Sequence, residues 1–244
     1  MRKVTKESPL PLYYQLKEIL LEMIENEELK PGEPIPPERE LCEAHRISRM
    51  TARKAVMSLV NEGVVFREQG RGTFVSKPKI NQKISNLRGF TEEMKEKGLI
   101  TKTKLLSFKI KKVTKENKKH LEMIGKDDKV IEIKRLRYVD EEPFCIEIAS
   151  IPRELCPDMK RENIENNSLY NLLEERYGFR LKYAKQTIEP IMSDEYESNL
   201  LNQKDEALCL LFRRKTYLED SRIIEYTKAI YRGDIYKYEI KLDR

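Results

Sequence analysis

Apolar residues recur at helical intervals over the first sixty positions and at alternating intervals over most of the remainder. Leu12, Leu16, Ile19, Leu20, Met23 and Ile24 form one stripe, and the Lys30-Pro31-Gly32-Glu33-Pro34 turn closes it. A short helix is predicted over residues 38–45, with Leu41 and Ala44 on one face. After a break, Ser48 can cap a second helix running to about residue 62. Its inward face is Ala52, Ala55, Val56, Leu59 and Val60, and its other face carries Arg49, Arg53 and Lys54. Gly63 stands where a helix commonly ends in the left-handed conformation. Two β-prone runs, 64–66 and 73–75, then flank Gly70-Arg71-Gly72 as a hairpin.

The following segment, SKPKINQKISN at 76–86, has little periodicity and reads as a linker, so the expected organisation is 1–75, linker 76–86 and 87–244. In the last part, helices are predicted at 91–97, from Thr114 to residue 124, from Ser168 to residue 177, and from Ser193 to residue 201. Strands are predicted at 103–110, 129–138, 144–151, 182–191, 207–218, 223–231 and 236–242. Hairpin-like connections between most of them imply an α+β domain, an antiparallel sheet with helices packed on it.

Helix, turn, helix and a basic hairpin make a winged helix-turn-helix. DNA's major groove admits one helix, and the two-pronged donor face of Arg matches guanine O6 and N7. A Gly at the wing tip lets the backbone approach a narrow groove. Between Arg46 and Lys77 the positive residues are Arg46, Arg49, Arg53, Lys54, Arg67, Arg71 and Lys77, opposed only by Glu62 and Glu68. The pattern alone also allows a solvated helix face or a protein-interaction module.

Composition narrows the alternatives. The 244 residues carry a net charge of +6, which permits nucleic-acid binding only if the charge is gathered on one face. No apolar run approaches 18 residues and MRKVTKESPL lacks an apolar signal core, so a cytoplasmic, non-membrane protein is expected. Cys42, Cys145, Cys156 and Cys209 are scattered without a CxxC pair, and the only histidines are His45 and His120. Neither a zinc site nor any other cofactor is expected.

Candidate chemistry in the second domain follows from strand alternation. Arg135 and Arg137 share a face, as do Glu225 and Tyr231 on another strand. The helix starting at Ser168 offers free backbone N–H groups to an anion. Two Arg and a helix N-terminus suit a phosphate, and Glu147 and Glu225 suit sugar hydroxyls or an amine. A solvated strand face and a simple helix cap account for the same residues. Glu147 poses a register problem. A two-residue loop in the Asp140–Pro143 turn would set Arg135 opposite Ile148 and turn Glu147 to the far face, unless a bulge or a different loop length brings it round.

The run PERELCEAHRISRMTARKAVMSLVNEGVVFREQGRGTFV resembles the DNA-binding domain of GntR-family bacterial transcription regulators, over about residues 8 to 78. That resemblance implies base and phosphate contacts from Arg39, Arg49 and Arg53, a wing tip at Gly70, and backbone-positioning contacts from Ser48, Thr51 and Arg71. Pro37 stands where the family usually has a capping Ser; Pro suits a first helical turn, but a side-chain cap is lost. From about residue 87 onward, GFTEEM (89–94), KRLR (134–137), IEIASIP (146–152) and YTKAIYRGD (226–234) resemble the effector domain of the HutC branch. This is the UTRA domain, of chorismate-lyase-like fold; within that branch the chain is similar to regulators of N-acetylglucosamine utilisation. The resemblance implies a phosphate held by Phe90, Thr91, Arg135, Arg137, Ser168 and Tyr170, and a sugar held by Glu147, Glu225 and Tyr231. Gly89 replaces a Ser often found in the family, which removes one possible hydrogen bond. Related regulators answer to other sugar phosphates, fatty acids, histidine-pathway intermediates or phosphonate-related signals. The expected protein is a homodimeric repressor that reads a palindromic operator and answers to a small phosphorylated metabolite. The alternatives are an activator or an enzyme of lyase-like fold, though no nucleophile–His–acid set is visible for the latter.

Overall fold

The computed structural model describes residues 3–83, 87–123, 128–165 and 167–240, which divide into two compact units, the first ending at Lys79 and the second beginning at Ile80.

The first unit opens with helix α1 (Leu12–Glu25), whose stripe buries Leu16, Ile19 and Leu20. Helix α2 (Glu38–His45) starts after Pro37 with no side-chain cap and ends at Arg46 in the left-handed conformation. Helix α3 (Arg49–Asn61) is capped by Ser48, whose Oγ accepts from the Thr51 N–H at 3.2 Å. Ala52, Ala55, Val56 and Leu59 of α3 are buried against Leu16, Leu20 and Leu41. Strands β1 (Val65–Glu68) and β2 (Gly72–Val75) form the antiparallel wing. Burying Leu16, Ile19, Leu20, Leu41, Val56 and Leu59, at about 1.5–3 kcal/mol each, is the main force holding the three helices together, and the Lys17–Glu62 ion pair at 2.8 Å joins α1 to the end of α3.

The second unit contains strand β3 (Ile80–Lys83), helix α4 (Phe90–Glu96), strand β4 (Thr101–Lys112), helix α5 (Lys115–Leu121) and the hairpin β5 (Lys129–Val139) and β6 (Glu142–Pro152). Helix α6 (Arg161–Ile164) and helix α7 (Leu169–Asn171) follow, and α7 continues as a π turn over Leu172–Arg176. Strand β7 (Leu181–Met192), helix α8 (Glu195–Leu201), strands β8 (Leu208–Leu218) and β9 (Ile223–Arg232), and strand β10 (Tyr236–Glu239) complete it. Six strands form one antiparallel sheet in the order β4-β5-β6-β9-β8-β7. The odd-numbered side chains of β5, Ile131 and Ile133, pack with Ala149, Leu169 and Tyr170, while Leu136 and Ile146 face Leu201 of α8.

Three expectations change. The 76–86 segment is not linker throughout, because residues 80–83 form β3, which pairs in parallel with β10. For the same reason the strand expected at 236–242 lies outside the large sheet; residues 241 and 242 fall outside the described residues, as does the helix end expected near residue 124. The cap of α8 is Asp194, whose Oδ1 accepts from the Glu197 N–H at 2.7 Å in a reciprocal capping box. Ser193 is buried instead, its Oγ 2.8 Å from that of Ser198.

Candidate functional site

The effector candidate begins with a proline. The β5–β6 connection is a two-residue turn, with Asp140 and Glu141 both at positive φ (48° and 67°). Val139 pairs with Glu142 and Tyr138 with Pro143; then Arg137 pairs with Cys145, leaving Phe144 as a bulge. Pro143 has no N–H to give a regular ladder, so a bulge beside it costs little. The extra residue shifts every later position by one, and Arg135 lies opposite Glu147 rather than Ile148. Phe144 itself is buried against Phe90, Tyr231 and Tyr236.

Arg135, Arg137 and Glu147 therefore meet on one face. Glu147 Oε1 accepts from Nη2 of both arginines, at 3.0 Å from Arg137, and Arg137 Nη1 donates to Thr103 Oγ1 at 2.7 Å. The Arg137 guanidinium also lies 5.0 Å from the Phe90 ring centroid. Burial would push the Glu147 carboxyl up, but the two guanidinium charges outweigh it and hold it at about 2. Burial and the Arg137 charge lower Arg135 from its ordinary value, yet a guanidinium starts so far above neutrality that it stays charged. Arg135 Nε and Nη1 and Arg137 Nε have no hydrogen-bond partner among the described residues.

These groups wall a cavity that also includes Phe90, Thr91, Ser168, Tyr170, Glu225 and Tyr231. All nine residues singled out in the sequence for the effector thus line one cavity. Ser168 caps α7, its Oγ accepting from Asn171 N–H at 3.5 Å. Glu225 is buried, with Oε2 accepting from Tyr170 Oη (3.1 Å) and Thr216 Oγ1 (2.8 Å) and Oε1 from Thr227 Oγ1 (2.7 Å). Arg214 and Gln186, which sequence reasoning passed over, line it too, with Arg214 Nε donating to Gln186 Oε1 at 2.7 Å. Burial works against the Arg214 charge, but Tyr170, Tyr231 and Glu225 outweigh it and raise its pKa. Nothing in the sequence separates Arg214 from its neighbour Arg213, which pairs outward with Glu189 at 2.5 Å; only the register of β8 does. Three guanidinium groups against two carboxylates leave one net positive charge around a space of about 40 Å³ for water centres, room for a few waters.

In the first unit, Arg49 and Arg53 stand four apart on the exposed face of α3, without an ion pair among the described residues. Thr51 Oγ1 lies 2.9 Å from Ser48 Oγ at the start of the same helix. Arg39 pairs with Glu43 at 3.3 Å, and Arg71 of the wing with Glu68. Gly70 has φ +75° and open space where a side chain would project. No group of three or more His, Cys, Asp or Glu among the described residues could hold a metal ion, and no described helix is long and apolar enough to cross a membrane.

Comparison with known proteins bears on both units. Residues 12–75 match the family described as bacterial regulatory proteins, gntR family, and residues 96–237 match the UTRA domain. The chain is 39% identical over 241 residues to the HTH-type transcriptional repressor NagR of Bacillus subtilis, covering 99% of this chain and 98% of that one. It is 32% identical to the mannosyl-D-glycerate transport/metabolism system repressor MngR of Escherichia coli, covering 96% and 97%. Among solved structures, PhnF from Mycobacterium smegmatis superposes with a TM-score of 0.65 at 26% identity, covering 96% of this chain and 99% of that one.

Proposed function

Because this chain belongs to the GntR family and carries a UTRA domain, it is a DNA-binding transcription regulator with a small-molecule effector, and we propose that it is a repressor of sugar or amino-sugar utilisation genes, governed by a phosphorylated sugar or amino sugar. Its family is one of regulators, not enzymes. The observation that carries the effector reading is the uncompensated charge on β5. Arg135 is 1% exposed, and two of its nitrogens, with one of Arg137, lack partners among the described residues. Buried guanidinium N–H groups left unpaired are costly, and a phosphate supplies both the charge and the acceptors. Phe90, Thr91, Ser168 and Tyr170 complete the phosphate end of this reading, and Glu147, Glu225 and Tyr231 the sugar end. The name of the mannosyl-D-glycerate transport/metabolism system repressor supports a sugar-related effector.

A hexose phosphate seated against the arginines would press on Phe90 and Thr91. Phe90 and Thr91, at the start of α4, are lining residues that come soon after the DNA-reading unit in the chain, beyond β3. Ligand displacing them would shift the population of DNA-reading arrangements and weaken operator binding, and operator would weaken ligand binding by the same factor. The DNA contacts of this reading are Arg39, Ser48, Arg49, Thr51, Arg53, Gly70 and Arg71. A homodimer would present two α3 helices to a palindromic operator in the cytoplasm.

Thermal unfolding against glucosamine-6-phosphate, N-acetylglucosamine-6-phosphate, other sugar phosphates and the free sugars tests the effector. A ligand at 100 times its dissociation constant should stabilise by about 2.7 kcal/mol. One phosphosugar should respond, its free sugar should not, and Arg135→Ala should abolish the response. A flat response to every phosphate removes the reading.

A further inference from the structure

The DNA-reading unit contains a second cationic site that the reading above leaves unused. Lys3, Lys6, Leu12, His45, Arg46 and Ile47 line a cleft with no acidic residue in its wall. His45, the last residue of α2, is 5% exposed, yet neither Nδ1 nor Nε2 has a hydrogen-bond partner among the described residues. A buried polar group without a partner needs an explanation, and here both ring nitrogens need one. The lysines belong to a tethered segment: Gln15 Oε1 accepts from the Thr5 N–H at 3.0 Å, and Gln15 Nε2 donates to the carbonyls of Thr5 (3.0 Å) and Leu10 (2.7 Å). Arg46 occupies a left-handed position (φ 54°) that Gly would fill at less cost. The C-terminal dipole of α2 favours a nearby cation but supplies no partner for the imidazole. Burial, then the Lys3 charge, lower the His45 pKa, which keeps the ring neutral with one N–H to donate.

We propose that this cleft takes a phosphate oxyanion of the DNA backbone, with Lys3, Lys6 and Arg46 supplying charge and His45 a hydrogen bond. The DNA source rests on the regulator's family and on position. Arg46 lies in the turn entering α3, three residues before Arg49. A recognition helix meets the bases with its N-terminal residues, so the turn before it borders the strand that flanks the groove. The contact is additional to those expected from Arg39, Ser48, Thr51 and Arg71, and it is sequence-independent.

The test uses the full chain and a mixed-sequence DNA duplex, with binding measured across a salt series. Lys3→Ala/Lys6→Ala, on exposed positions, should make the slope of log affinity against log salt shallower by about 0.9 for the phosphate lost. The charge-matched control Lys118→Ala/Lys119→Ala, on the exposed side of α5, should leave the slope unchanged. His45→Phe should weaken binding about tenfold while keeping the slope, since it removes a hydrogen bond to a charged group and no cation. A second arm uses inorganic phosphate alone, read by thermal unfolding in an Arg135→Ala background so that the effector cavity does not contribute. An unchanged slope in Lys3→Ala/Lys6→Ala overturns the DNA contact. If phosphate still stabilises in a lysine-dependent way, the cleft holds free anions instead; if it does not, no anion site exists. None of these outcomes depends on the sugar-phosphate reading.

Discussion

The two units hold their candidate functional arginines in opposite ways. In the winged unit the Arg39 and Arg71 side chains are 79% and 72% exposed, each beside an acidic residue on its own surface, Glu43 and Glu68. In the effector unit the Arg135 and Arg137 side chains are 2% and 5% exposed and share Glu147, whose own side chain is only 11% exposed. Exposed pairs are worth about 0–1 kcal/mol, so DNA phosphates can replace Glu43 and Glu68 at little cost. A buried triad cannot be exchanged so freely, because removing a partner strands a charge away from water. Under the proposed reading the first unit would therefore make many weak, salt-sensitive contacts, and the second one selective contact that salt screens little.

The sharpest way to break this comparison is to delete one acid from each unit. Glu147→Ala should cost about 3–5 kcal/mol of unfolding free energy in denaturant melts, because two buried guanidinium groups lose their shared partner. Glu68→Ala should cost at most about 1 kcal/mol. Similar losses would show that burial does not distinguish the two units. Acid should act on the same triad. The Glu147 carboxyl sits at about 2, below its unfolded value near 4.3, so its contribution is complete above the unfolded value and is lost as pH falls toward 2. A melting temperature of the effector unit that stays level between those pH values would contradict the ion triad.

Next in size, Arg49→Ala should weaken operator binding by about 1–3 kcal/mol and relax preference at one base pair, without altering the melting temperature. Unchanged sequence preference would move base reading elsewhere on α3. The smallest effect is expected at Gly89, the uncapped start of α4. Its φ is −75°, and a Cβ there would meet Ser168 Oγ at 3.4 Å and nothing nearer. Gly89→Ser should therefore fit, capping α4 for a few tenths of a kcal/mol. A clear drop in melting temperature would show that the wall there cannot give.

Legibility followed the same division. Helices at 38–45 and 49–61 were readable because apolar spacing, the Ser48 cap and Gly63 all agree within a few residues. Alternation paired Arg135 with Arg137 and Glu225 with Tyr231, while Phe90, Thr91 and Tyr170 came from family resemblance alone. Alternation alone left Glu147 on the far face, and the bulge at Phe144 corrected it. Pro143 was the available sign of that bulge. Arg214 had no sign, since its facing depends on a register set by strand partners distant in sequence. Strand β3 hid within a Lys-rich segment because its pairing partner lies at the opposite end of the domain.

That last pairing has a consequence for the order of assembly during synthesis. The winged unit is complete once residue 79 has emerged, and its contacts are local enough to form at once. Strand β3 is made next, but its partner β10 begins at Tyr236. The first strand of the effector unit must therefore wait, unpaired, while the whole sheet is translated. A nascent chain stalled anywhere in that interval would already be able to fold its DNA-reading unit, while the effector unit still lacked the strand that pairs with β3.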